Sequence, residues 1–252
     1  MTEPLIEDVS HAPLFFVEEL SGTTVSLGPQ DARHLAMVRR ARPGDVVRVA
    51  DGRGTLATVR ITSVSDNQVV ADVERSEFVE PSPLDVCVYQ ALPKGTKADL
   101  VIQKLTEIGV QRVVMFAAQR SVPEWDQRRS ASAVDRWSAI AMEAAKQSNR
   151  IRLPAIEGLW DARKVAEDLS SSEVKLAAHA ASGRRLRDAL GSKMPPSVAL
   201  IIGPEGGLTD DELGLFSESG AMSVSFGSPI LRTETAALAG ATMILYHYER
   251  LG

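Results

Sequence analysis

Residues 201–213 read IIGPEGGLTDDEL, and the organisation of the whole chain can be worked out from them. Two isoleucines close a β-like run. Gly203, Pro204, Glu205, Gly206 and Gly207 follow, and the sequence then turns acidic and helix-like. Thr209 precedes Glu212 by three positions, a capping box that predicts a helix starting near Asp210. Asp210 and Asp211 suit the positive end of that helix's dipole, and Gly220 suits its C-terminal stop. The glycines therefore form a tight strand-to-helix crossing. Glycine admits positive φ and lets a ligand lie directly against backbone. The crossing reads as a ligand loop or as a plain tight turn. It lacks the spacing of a P-loop and of a dinucleotide fingerprint, and Glu205 would repel a diphosphate. A carboxylate in a backbone-lined pocket better suits a ligand that is cationic or carries hydroxyls and amines.

Around this stretch strands and helices alternate. LDVCVYQ precedes the helical KADLVIQKLTEIGV, and RVVMFAA precedes SAVDRWSAIAMEAAKQSN. VKLAAHA precedes RRLRDAL, VALIIG precedes DDELGLFSESG, and MSVSFG precedes TETAALAGATMILYHYERL. Such alternation predicts an α/β domain with a mainly parallel sheet covered on both faces. Ligands bind such sheets beyond the carboxyl ends of the strands, so the loops after residues 179, 202 and 226 are the places for chemistry. Residues 13–79 read differently, as short β-rich runs between turn residues with one helical stretch, PQDARHLAMVRRA. That pattern suggests a small β-barrel. FVEPSPLD reads as the linker, so the predicted domains are 13–79 and 80–252, with 1–12 a loose tail.

Composition excludes several classes. The single cysteine, Cys87, lies in an apolar run, reads as packing, and rules out an internal disulfide framework; a reducing, cytoplasmic setting is the simple reading. His11, His34, His179 and His247 lack ligand spacing, so no metal site is expected. No segment resembles a signal peptide or a membrane span. The net charge of −5 argues against indiscriminate coating of nucleic acid but allows a local basic face. Arg33, His34, Arg39, Arg40, Arg42, Arg48 and Arg53 form such a run, broken only by Asp31, Asp45 and Asp51, and Arg150 and Arg152 extend it. A basic run is either a solvated face or an RNA contact.

A second loop accompanies the first. SFGSPILRTETAALAG leaves a strand at Phe226 and Gly227, turns at Ser228 and Pro229, and enters a helix near Thr233. Ala236 with Gly240 and Ala237 with Ala241 place small residues one helical turn apart. They permit close packing on the sheet or a tight crossing with another helix, including one from a second subunit.

Together, IIGPEGGLTDDEL and SFGSPILRTETAALAG closely resemble the two C-terminal motifs of the RsmE-type 16S rRNA uridine N3-methyltransferases, of the SPOUT class of knotted methyltransferases. HLAMVRRARPGDVVRVADGRG resembles that family's PUA-like RNA-binding barrel, LPKGTKADLVIQKLTEIGV the start of its catalytic domain, and EAAKQSNRIRLPAI its Gln-Ser-x-Arg helix end. Two departures are slight: EIG stands where Glu-Leu-Gly is frequent, and no proline follows His179. The resemblance implies a trefoil knot, a homodimer, S-adenosylmethionine as cofactor without a metal, and N3 methylation of a uridine in 16S rRNA of the small subunit. It implies a cofactor pocket built from Leu176, His179, Ile202, Gly203, Pro204, Glu205, Gly206, Gly207, Phe226, Gly227, Ile230, Leu231 and Thr235. RNA contacts would fall on Arg33, His34, Arg39, Arg40, Arg42, Arg48, Arg53 and Arg150.

The chemistry so implied needs charge control. Uracil N3 attacks only after losing its proton, which puts negative charge on N3 and both carbonyl oxygens. Arg232 is suited to that developing charge. Glu234 is suited either to receive the proton or to sit as a first-turn helix carboxylate. Two rivals stand beside this reading. A non-catalytic RNA-binding assembly factor would not bind S-adenosylmethionine, and a nucleotide-linked oxidoreductase would need the glycine fingerprint that is missing.

Overall fold

The computed structural model describes residues 12–121 and 127–251, and side chains 127–129 are left aside. The expected tail, apart from Ala12, lies outside the described residues. The chain divides into two compact units. One reaches Pro81 and also takes in Ala145–Leu153; the other comprises Ser82–Ala144 and the chain from Pro154 on.

In the first unit the strands are β1 (Leu14–Phe16), β2 (Thr24–Leu27), β3 (Val46–Ala50), β4 (Thr55–Val64) and β5 (Val69–Phe78). They pair in the order β1-β3-β4-β5-β2, antiparallel except for β1 with β3. Alternation of buried and exposed residues sends Val25 and Leu27, and Ala57, Val59 and Ile61, into one core with Phe15, Leu35 and Val49. The one helical stretch splits into α1 (Pro29–Arg33) and a π-helical turn, His34–Arg39. Arg152 belongs to this unit and is committed there. Its guanidinium donates to the Val79 carbonyl at 2.6 Å and to that of Arg53, and lies 5.1 Å from the centre of the Phe78 ring. It is therefore a brace on the backbone and does not extend the basic face.

The second unit holds six strands: β6 (Asp85–Ala91), β7 (Arg112–Ala117), β8 (Ala155–Asp161), β9 (Val174–Ala178), β10 (Ser197–Ile202) and β11 (Met222–Val224). Their order is β11-β9-β10-β6-β7-β8, and every pairing is parallel. The helices are α2 (Lys97–Ile108), α3 (Gln127–Gln147), α4 (Ala162–Asp168), α5 (Leu186–Ala189), α6 (Asp210–Glu218) and α7 (Thr233–His247). Residue alternation along β6 sorts the core. Val86 and Val88 pack with Ile102, Trp137 and Ala241 on one face; Cys87 and Tyr89 pack with Val165 and Phe216 on the other. Burial pushes the Cys87 thiol up to about 12, as its packing role requires.

Two elements escape sequence reading, β8 and α4. Strand β8, AIEGLWD, is an edge strand with only Trp160 buried, so it lacks the apolar run of its neighbours. The small-residue face of α7 also finds its place. Ala237, Gly240 and Ala241 are buried within the chain itself. A Cβ on Gly240 would stand 2.7 Å from Phe226 and 2.8 Å from Leu200. Ala237, Gly240 and Ala241 are therefore closely packed on the sheet within the chain.

Candidate active site

A cavity of about 410 Å³ opens at the carboxyl ends of β9, β10 and β11. Strand β9 delivers Ala178 and His179. Strand β10 delivers Ile202 and the Gly203–Gly207 loop, and β11 leads into Ser225, Phe226 and Gly227. Pro229, Ile230, Leu231 and Arg232 close the circuit before α7 begins. Of the expected ligand residues, His179, Ile202, Gly203, Pro204, Glu205, Gly206, Gly207, Phe226, Gly227, Ile230 and Leu231 line this cavity. Leu176 and Thr235 do not. Leu176 is fully buried among the core residues of the sheet, and Thr235 is exposed on α7. The threonine on the cavity is Thr233, which shares a helix face with Ala236; helical spacing alone separates it from Thr235.

A buried polar chain joins the two loops. Thr233 donates its hydroxyl to the Gly203 carbonyl at 2.6 Å and accepts a 2.8 Å bond from the Gln90 amide, which also donates to the Ala91 carbonyl at 2.7 Å. Gln90 and Thr233 are both buried. The far side of the glycine loop is set by the capping box at α6, where Glu212 accepts from the Thr209 N–H and the Glu212 N–H bonds the Thr209 hydroxyl. Glu212 is itself buried and takes the Gln119 N–H at 2.8 Å. Gly203 has no room for a side chain, since a Cβ would lie 2.9 Å from the Leu208 nitrogen. Gly207 and Gly227 have positive φ, 71° and 122°, where L side chains are strained. At Gly206 a Cβ would meet the Arg120 side chain at 3.2 Å, and Arg120 bonds the Gly206 carbonyl at 2.9 Å.

The charges at the rim are paired. Lys97, first residue of α2, holds Glu205 at 2.8 Å and Glu234 at 3.4 Å. Glu205 also accepts the Lys94 N–H at 3.2 Å. Burial alone would raise the Glu205 carboxyl; the Lys97 ammonium and the backbone N–H bonds outweigh it and hold it below the usual carboxylate range. The bond to Glu205 holds the Lys97 ammonium above its ordinary value. Glu205 is therefore not a bare carboxylate awaiting a cationic ligand. Glu234 does not line the cavity and sits as a first-turn carboxylate opposite Lys97. Arg232 lines the cavity, is exposed, and is fixed by extended backbone ahead of α7. Sequence reading assigned no role to Lys97. The available signal was a cation at a helix N-terminus, where the dipole disfavours it unless carboxylates are near.

The basic residues of the first unit separate into two groups. Arg33, His34, Arg39, Arg40, Arg42 and Arg53 are exposed. Arg48 is half-buried, donating to the Ala12 carbonyl at 3.0 Å and to Asn149 at 2.7 Å, and Arg150 is half-buried with its pKa lowered by desolvation. Those two are less accessible to an RNA backbone than the six exposed residues. Among the described residues no group of His, Cys, Asp and Glu is placed to hold a metal, and no helix is long and apolar enough to cross a membrane.

The chain is similar in sequence and fold to known proteins. A family model for an RNA methyltransferase domain matches residues 80–245, and one for an RNA methyltransferase PUA domain matches residues 27–74. Ribosomal RNA small subunit methyltransferase E of Mycobacterium bovis is 34% identical over 90% of this chain and 88% of its own. The Bacillus subtilis protein of the same name is 32% identical over 90% and 92%. A crystal structure of ribosomal RNA small subunit methyltransferase E from Neisseria gonorrhoeae, bound to S-adenosyl methionine, is 29% identical, covers 94% of this chain and 98% of its own, and superposes with a TM-score of 0.85. With its PUA-type first unit and its RNA methyltransferase second unit, the chain belongs to the ribosomal RNA small subunit methyltransferase E family.

Proposed function

We propose that the protein transfers a methyl group from S-adenosylmethionine to N3 of a uridine in 16S rRNA of the small ribosomal subunit. The observation that carries this is the single cavity wall shared by the Gly203–Gly207 loop and the Gly227–Arg232 loop, with one arginine at its edge. The lining fits the cofactor. Ile202, Phe226, Leu231 and Ala236 offer apolar surface to an adenosine, and the loop backbone offers donors and acceptors to its polar edge. When bound, the cofactor supplies an electrophilic methyl group. The chain's own residues position the base and stabilise its anion. Arg232 donates two parallel hydrogen bonds to the charge that appears as N3 loses its proton. Glu234, engaged by Lys97, supports a structural role.

A homodimer belongs to the same proposal, as do the trefoil knot and a cytoplasmic site of action. Ala237 and Ala241 are already buried within the chain, so the proposal takes the dimer surface from other residues of α7. Met243 and Tyr246 of α7 remain exposed beside Leu186, Leu190 and Leu251, and the second copy is assigned to that patch.

The test is direct. Purified protein, small subunits from a strain lacking the enzyme, and isotopically labelled S-adenosylmethionine are incubated, and the rRNA is digested for mass mapping. The expected product is one N3-methyluridine. Label at a ribose or at another base position overturns the proposal.

A further inference from the structure

The first unit carries a surface that its basic charge alone does not explain. Met37 and Val38 are neighbours and are 77% and 69% exposed. In an unbroken α-helix Val38 would share the face of Leu35, three residues earlier, and Leu35 is buried. The segment instead winds as a π-helical turn, and Arg40 closes it at a left-handed φ of 52°. The N–H groups of Arg40 and Ala41 both return to the Leu35 carbonyl. Leu35 thus stays in the core while the next apolar pair is turned outward. Such wide turns are rare and recur at functional sites.

Four arginines lie within five residues of the pair in the chain. Arg33, Arg39, Arg40 and Arg42 are exposed, and among the described residues none has a carboxylate partner. The nearby acids do not ion-pair with these guanidinium groups among the described residues. Asp31 pairs with Lys146 at 2.9 Å, and Asp45 accepts the Arg42 N–H at 2.8 Å. A chain of net charge −5 thus carries four exposed arginines, none in a side-chain ion pair among the described residues, on the same short segment as two exposed apolar side chains. Lone exposed apolar residues are ordinary, but this pair shares its segment with four exposed cations of the kind that attract a polyanion.

We infer that Met37 and Val38 contact unpaired bases of the RNA substrate while the four arginines hold the flanking phosphates. The inference rests on the reading of the protein as an rRNA methyltransferase. Duplex RNA presents phosphates, 2′-hydroxyls and a groove too deep for side chains, so two aliphatic groups would gain nothing from it. An unpaired base presents an apolar face that they can cover. The surface thus selects a loop or an opened strand over a helix.

Full-length protein is titrated with a labelled single-stranded 16S rRNA fragment and with a duplex of equal length, across a potassium chloride series. The double variant M37S/V38T should lose on the order of tenfold in affinity for the single strand and nothing for the duplex. Its dependence of log Kd on log salt should match wild type, because no phosphate contact is removed. R39Q/R40Q should weaken both RNAs and flatten that dependence. Thermal melts control for folding, and Val38→Thr keeps the side-chain shape. If M37S/V38T binds the single strand as wild type does while R39Q/R40Q is weakened, the inference falls and the parent reading stands. If R39Q/R40Q also binds as wild type, RNA docking by this surface fails as a whole. Tighter binding to anionic lipid vesicles than to RNA, lost in M37S/V38T, overturns it in favour of a membrane contact.

Discussion

Thr233 and Gly203 lie 30 residues apart in the chain and share a 2.6 Å hydrogen bond from hydroxyl to carbonyl. The bond ties the start of α7 to the start of the glycine loop, and so ties together the two loops that wall the cavity. Gln90, from the middle strand β6, completes the tie at 2.8 Å.

Thr233→Val keeps the shape and removes the hydroxyl. The Gly203 carbonyl and the Gln90 amide then lose their shared partner inside the protein. Urea denaturation should show a loss of about 1–3 kcal/mol, and calorimetric titration a clear drop in cofactor affinity. Thr233→Ser should restore most of both. A valine variant with unaltered cofactor affinity would show that the loops are held by something else.

The two glycines at positions 203 and 206 should differ. Gly203→Ala drives a Cβ to 2.9 Å from backbone, which cannot yield cheaply; Gly206→Ala meets only the flexible Arg120 side chain. Cofactor binding should collapse in the first and fall only modestly in the second. Equal losses would mean that the Gly206 backbone, not loop closure, sets the affinity.

Lys97→Met leaves Glu205 and Glu234 facing each other without a cation. The pair is partly exposed, so the expected loss of cofactor affinity is modest, roughly severalfold. The pH dependence carries the sign. The folded-state value of Glu205 is depressed, so its stabilisation is present at neutral pH and is lost as pH falls below the ordinary glutamate range. Lys97 is raised, so its share is lost only as pH climbs above the ordinary lysine value. Melting temperatures of wild type and variant should differ most near neutrality and converge in acid. A gap that is constant with pH would remove the electrostatic explanation.

Arg232→Ala should slow single-turnover methyl transfer by about a hundredfold or more, the cost of one oxyanion donor at roughly 3 kcal/mol. Cofactor affinity should change little. Arg232→Lys should recover only part of the rate, because a point charge does not reproduce the planar fork. Failure of Arg232→Ala to bind cofactor would reassign Arg232 to the cofactor.

The parallel sheet was legible because β6, β7 and β10 are continuous apolar runs, and the α6 start because its capping box is a local code. β8 was not, since an edge strand with a glutamate and a glycine has no periodic signature. The cavity's backbone lining could be read from the glycines. That Thr233 and not Thr235 faces the cavity is a matter of helical phase, which sequence does not display until the first helical residue is known. Lys97 was invisible in its role because Glu205 and Glu234 come to it across more than a hundred residues of chain. Val38 turned outward for a comparable reason: its spacing from Leu35 is helical, and only the wider winding of the turn reverses its direction.

Residues Ala145–Leu153 group with the first unit although they lie deep within the sequence of the second. The polypeptide therefore passes from one unit to the other after Pro81, after Ala144 and after Leu153. No single recombination junction can exchange either unit intact. A gene fragment starting at codon 82 would encode Arg152 and Leu153 but not Val79, Arg53 and Gly52, whose carbonyls they bond. A fragment ending at codon 81 would encode those carbonyls without their donors. A cut at either codon thus parts Arg152 and Leu153 from the carbonyls that they brace, whereas a point substitution leaves those bonds in one chain.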